Sequence, residues 1–332
     1  MPVIRLLIAL GLVANAPLAL AEAQAKIAVS IKEWTVPWED TRPRDPTVAT
    51  DGRIWFVGQT GDYIARLDPE SGEFQRFDLA RGTGPHNVIT GPDGKLYVAG
   101  NRNARIIRVD PASGDQETFR LPGGNGDPHT QQFGPDDDLW FTMQGYNAIG
   151  RLNPDRSEFD VIKLPTERAR PYGLRIAPSG MLWFTQFGTR KLARLEPGAL
   201  KVREYEIQRD DARPRRLAIA DDGAIWYVDY LGGYLGRLDP PSGKFTEWAA
   251  PGGKQALPYG MTMDGEGRLW FVETGVNPNR LVAFDPAVSD YVANEPIPSG
   301  GGAVRHMVYD AERDAIWFGT DANTIGVARI GE

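Results

Sequence analysis

The sequence predicts an all-β fold: a seven-bladed β-propeller of four-stranded antiparallel blades. Its ring is closed by an N-terminal strand that completes the last blade. Three observations carry this. A strand with an aromatic at its centre recurs seven times, a proline stands at a fixed distance before six of the seven, and the last copy lacks one strand.

The aromatic strands read GRIWFV, GKLYVA, DDLWFT, GMLWFT, GAIWYV, GRLWFV and DAIWFG. Their central residues are Trp55, Tyr97, Trp140, Trp183, Trp226, Trp270 and Trp317, spaced by roughly 43 residues. A period of that length with several short strands per unit is the mark of a propeller blade. These rings are expected to pack between blades. Twelve residues before them lie Pro43, Pro85, Pro128, Pro171, Pro214 and Pro258, with Arg305 at the seventh place. Strand A follows the proline, as in PHNVIT. A GPDG-type turn leads to the aromatic strand B, a polar loop to strand C (RIIRVDP, YLGRLDP), and a DPxSG turn to strand D. Gly, Asp, Asn and Pro at the turns supply the backbone angles that these need.

The seventh unit ends after strand C, at IGVARIGE. The segment IKEWTVP near the N-terminus matches the strand D passage FTEWAAP, with Glu33-Trp34 parallel to Glu247-Trp248. Pairing it with the last blade closes the ring and covers two sheet edges. Residues 26–332 are therefore expected to form one propeller domain. Residues 1–21 read as an export signal: Arg5, then LLIALGLVANAPLAL, then Ala19-Leu20-Ala21 at a cleavage site. A periplasmic or secreted protein with no membrane anchor follows, since the apolar run is short and broken by Pro17. The chain has no cysteine, which excludes thiol catalysis and disulfide staples. Its net charge of −7 argues against nucleic-acid binding. A monomer acting on a small molecule is expected.

Strand A lines the channel of a propeller, so the residue after each proline should ring the channel mouth. Those residues are Arg44, His86, His129, Tyr172, Arg215, Tyr259 and His306, which include all three histidines of the chain. Strand-end capping would be the structural explanation. The chemical one is a substrate site. The B–C loops add Gln144, Gln186, Asp229, Glu273 and Asp321 on the same face. His306 and Asp321 share a blade, which would suit either a general-base pair or a metal corner.

The passages PYGLRIAPSGMLWFT and DLWFTMQGYNAIGRL resemble the streptogramin B lyase (virginiamycin B lyase) family, and the likeness spans essentially the whole chain after the export signal. The resemblance implies β-elimination at the ester bond of a cyclic depsipeptide antibiotic, with Mg²⁺ polarising a carbonyl and a histidine as acid/base. It places His306, Asp321 and Tyr259 at the catalytic positions, with Asp321 also a metal ligand. His86 and His129 are not part of the family's site; with Arg44, Tyr172 and Arg215 of the mouth ring and Glu273 of a B–C loop, they are expected to hold substrate. The sequence departs from the family at two places: Val304 stands where an acid is expected and Tyr259 where a histidine is. A non-catalytic propeller that binds a ligand or protein at the mouth is the alternative.

Overall fold

The computed structural model describes residues 26–332. The export signal expected over 1–21 lies outside the described residues. Seven four-stranded antiparallel sheets make seven blades. Strand A runs over Pro43–Val48, Pro85–Thr90, Pro128–Phe133, Pro171–Ile176, Pro214–Ile219, Pro258–Met263 and Val304–Asp310 in blades 1 to 7. Each strand A contacts those of both neighbouring blades, and blade 7 meets blade 1. The strands A therefore wall a central channel. Two 3₁₀ turns, Pro122–Gly124 and Gly253–Gln255, are the helical elements among the described residues. None of these is long or apolar enough to cross a membrane.

The expected closure is present. Val29–Thr35 pairs antiparallel with Thr324–Ile330 and forms the outer strand of blade 7. Trp34 stacks on Trp317 with centroids 5.7 Å apart, as Trp248 stacks on Trp226 at 5.3 Å in blade 5. Glu33 fastens the strand further by accepting hydrogen bonds from Ser299 N and Oγ, both 2.7 Å.

The repeated aromatics pack between blades. Trp55 lies with Val88, Leu96 and Val98 of blade 2. Trp140 lies with Leu174 and Phe184 of blade 4, and Trp317 with Ile54 and Phe56 of blade 1. Alternate residues of a strand face opposite sides. Strand B therefore sends its aromatic to the next blade and the residue three places on to the previous one.

The register of blade 7 differs from the spacing read in the sequence. Pro258 pairs with Glu273 and Met261 with Phe271; in blade 7, Val304 pairs with Thr320 and Met307 with Phe318. Val304 is thus the equivalent of the blade prolines. Arg305 is the equivalent of Tyr259, and His306 lies one residue further into the channel. The A–B turn is the cause. Tyr309 pairs with Ile316, seven residues on, whereas Met263 pairs with Leu269, six residues on. Counting back from Trp317 therefore slips by one.

Candidate functional site

The ring at the B–C loop end of the channel is Arg44, His86, His129, Tyr172, Arg215, Tyr259 and Arg305. All but Arg215 and Arg305 are buried. The side chains close on one another. His86 and His129 pack with their rings tilted by 35° and centroids 3.4 Å apart, and His129 meets Tyr172 at 4.2 Å. The hydroxyls of Tyr172 and Tyr259 share a hydrogen bond across blade 5. Between them, the Arg215 guanidinium lies 3.9 Å from the Tyr259 ring, 4.1 Å from Tyr230, 4.3 Å from Phe187 and 5.0 Å from Tyr172. Four aromatic faces around a cation hold it by their ring quadrupoles.

One residue deeper, the equivalent positions are Asp45, Asn87, Thr130, Gly173, Arg216, Gly260 and His306. At the two glycines the backbone of the next blade approaches closely. A side chain on Gly173 would meet the Arg215 carbonyl and the Arg216 Cα. Arg216 crosses the channel here. It donates from Nη1 to Thr130 Oγ1 (2.9 Å) and from Nε to the Arg305 carbonyl (3.0 Å), and its Nη2 lies 3.5 Å from Asp45 Oδ2. Asp45 also accepts from Arg44 Nε at 2.9 Å.

This packing sets the ionisation of the site. Burial holds His86 and His129 well below the ordinary imidazole range, and Arg44 and Arg216 push both further down. His306 falls to about 3 through burial, opposed by Asp45 and reinforced by Arg216 and Arg175. All three imidazoles are neutral at physiological pH. The tyrosines diverge. Burial alone would raise Tyr172, but Arg215, Arg216 and Arg44 outweigh it and lower its pKa. Tyr259 is raised, by burial first and by Tyr172 second. The surrounding guanidinium groups therefore favour a single negative charge shared by the hydrogen-bonded pair.

Several sequence expectations change in the structure. His306 is outside the mouth ring; it lines a cavity of about 210 Å³ with Thr47, Gln132, Arg175 and Thr262, towards the A–B turns. Asp321 is bound by Arg305 through both carboxylate oxygens, the second at 2.6 Å from Nη2, and Arg42 Nε lies 3.9 Å away. His306 and Asp321 therefore form no pair. Glu273, buried, accepts from Gly252 N at 2.6 Å and pairs with Arg280 at 2.8 Å. It points to blade 5 because it lies three residues beyond Trp270, on the opposite side of the strand. Asp229 repeats this with Arg209, and Gln186 with Glu204. These B-strand groups fasten blades and loops and do not face the channel.

The residues also fail the test for Mg²⁺. A hard cation needs several free oxygen ligands. Val304 is aliphatic, the Asp321 carboxylate is taken up by guanidinium groups, and the mouth carries Arg44, Arg215 and Arg305. Among the described residues no group of three or more His, Asp or Glu side chains converges in a way that could hold a metal ion.

The sequence reading missed Arg305, Arg216, Asp45 and Arg175. Arg305 could have been found by aligning PYGMTM with VRHMVY on Met261 and Met307.

No curated protein matches the chain. Its fold matches virginiamycin B lyase from Staphylococcus aureus with a TM-score of 0.82 at 23% identity, covering 91% of this chain and 99% of that one. A catalytically inactive variant of virginiamycin B lyase from Staphylococcus aureus, with quinupristin, matches with a TM-score of 0.83 at 24% identity, covering 91% and 99%. Hydrazine synthase from Kuenenia stuttgartiensis matches with a TM-score of 0.73 at 17% identity, covering 89% and 97%. At these identities the likeness is one of fold. The sequence itself matches the virginiamycin B lyase family over residues 21–251 and again over 158–332, and the chain belongs to that family.

Proposed function

We propose that the chain is an exported small-molecule lyase that works by β-elimination, with the Tyr172–Tyr259 pair as its acid/base machinery. The single observation behind this is the hydroxyl–hydroxyl hydrogen bond inside a ring of guanidinium groups. Elimination next to a carbonyl needs a base for the Cα proton and positive charge for the electrons that move. The Tyr172 oxygen takes the proton. The C–H electron pair becomes the Cα–Cβ double bond, the Cβ–O bond breaks, and its electrons leave on the departing carboxylate. Tyr259 keeps its proton and holds the Tyr172 oxygen by its hydrogen bond, and Arg215 receives the departing carboxylate as the anion, which suits a planar guanidinium fork.

The histidine expected to act as acid/base is a poor candidate. His306 is neutral and held to about 3, far from the near-neutral value that suits proton transfer. The altered tyrosine and valine positions favour a substrate unlike the family's antibiotic, one with an anionic or carbonyl group near the scissile bond.

A cyclic depsipeptide is the first substrate to test, in ¹⁸O-labelled water. The expected product is linear, unsaturated and free of label. A labelled product would mean hydrolysis. Tight binding with the ester left intact would favour the non-catalytic reading, which the burial of the two hydroxyls supports.

A further inference from the structure

The opposite end of the channel carries a second, unassigned site. The cavity of about 210 Å³ that His306 lines is joined, through the shared residues Arg175 and Thr262, to a cleft of about 540 Å³ between the A–B turns of blades 4, 5 and 6. The cleft is mainly apolar, with Ile176, Pro178, Ala218, Ile219 and Met263 on its walls. The cavity is cationic. Arg175 donates from Nη1 to the Leu174 carbonyl (3.1 Å) and has no carboxylate partner among the described residues. Arg216, 2% exposed, crosses the channel above, and its Nη2 lacks a hydrogen-bond partner, as does His306 Nδ1. Gln132 accepts from Ile176 N with its Oε1, which leaves its amide nitrogen free to donate.

Charge makes the second argument. Asp45 is the carboxylate that faces this layer, and Arg44 and Arg216 already share it. Arg175 feels this as a fall to about 10, from burial first and Arg216 second. Asp221, exposed at the outer rim of the cleft, forms no ion pair with Arg175. Two buried guanidinium groups, Arg44 and Arg216, and the half-buried Arg175 against one carboxylate favour an anion.

We propose that this end of the channel binds a small amphipathic carboxylic acid, its carboxylate on Arg175 and its apolar body in the cleft between blades 4, 5 and 6. The site is separate from the mouth, because Arg216 and its partners cross the channel between the two. It therefore stands whether or not the tyrosine pair is catalytic.

The test uses the full chain with three probes at equal ionic strength: octanoate, octanol and inorganic phosphate. Octanoate should raise Tm and bind at least about tenfold more tightly than octanol, which lacks the charge, or phosphate, which lacks the tail. Arg175→Gln should weaken octanoate by about tenfold or more. Ile219→Glu, which places a charge in the cleft, should do the same should the first variant fold poorly. Tyr259→Phe at the mouth should leave octanoate binding unchanged. The proposal is overturned if octanoate acts no differently from sodium chloride, if phosphate binds as tightly, or if both Arg175→Gln and Ile219→Glu bind like the parent.

Discussion

The hydroxyl of Tyr172, from blade 4, is hydrogen-bonded to the hydroxyl of Tyr259, from blade 6, across the Arg215 side chain of blade 5. The arginines lower one phenol and the other is raised, so the two are not interchangeable. If Tyr172 is the base, the rate should fall towards acid pH along a one-proton limb. That limb should lie below the ordinary phenol value of 10.0. Tyr172→Phe and Tyr259→Phe should each lower kcat by about 10²–10⁴-fold. Tyr259→Phe should also shift the limb, because it removes the hydroxyl that shares the proton. An unmoved pH profile in both variants would assign the pair to packing.

His306 links the channel to pH-dependent stability. Its folded pKa of about 3 lies below the free value of 6.5, so the unfolded chain binds more protons between those values. Stability therefore rises with pH in that window. The contribution is complete above about 6.5 and is lost as pH falls towards 3, at about 1.4 kcal/mol per unit at most. His86 and His129 act in the same direction. Urea unfolding at pH 7 and pH 4.5 should show a marked loss in the parent. His306→Gln should lose less over the same interval, since glutamine cannot take up the proton. Equal slopes for the two would show that the imidazole is not held neutral.

The blade count, the inter-blade tryptophans and the closing strand were legible because each rests on a local pattern that repeats. Trp55 and its six counterparts keep period and strand position, and Glu33-Trp34 matches Glu247-Trp248 residue for residue. Six of the seven mouth positions were legible for the same reason. His306 was misplaced because the long step from Trp270 to Trp317 does not say where its extra residues lie, and one of them is in the turn between Tyr309 and Ile316. The roles of Asp321 and Glu273 were misread because a carboxylate on the right face can still be claimed by a guanidinium. Sequence spacing does not reveal that Arg305 and Arg280 reach them. The crossing of Arg216 depends on Thr130 of blade 3, the Arg305 carbonyl of blade 7 and Asp45 of blade 1, partners far apart in the chain that leave no linear signal.

Arg305 and Asp321 provide a direct test of that correction. They form a two-point ion pair in blade 7, each partly exposed. A double-mutant cycle with Arg305→Gln and Asp321→Asn should give a coupling of about 1 kcal/mol in stability. Replacing Asp321 should leave the pH dependence of stability attributed to His306 unchanged. A coupling between Asp321 and His306 larger than that with Arg305 would restore the pairing expected from the sequence.

Ring closure is the most consequential structural claim, because one strand holds both ends of the chain. Val29–Thr35 supplies the outer strand of blade 7, and without it the edge of Thr324–Ile330 is bare. An unpaired strand edge is a template for aggregation. Removing residues 26–37 should therefore give aggregated protein or a large loss of Tm. Trp34→Ala is the milder test. The indole is partly buried against Trp317, so its removal should cost about 2 kcal/mol, below the roughly 3–5 kcal/mol of a fully buried tryptophan. Trp248→Ala removes the same stack in blade 5, where strand D is bound covalently within its own blade. The two should cost similar equilibrium stability, but Trp34→Ala alone should speed proteolysis at the N-terminus, since only there does the stack hold a chain end. Equal protease resistance in the two variants would mean that the closing strand is held by its backbone ladder and Glu33, with the tryptophan stack contributing little to closure.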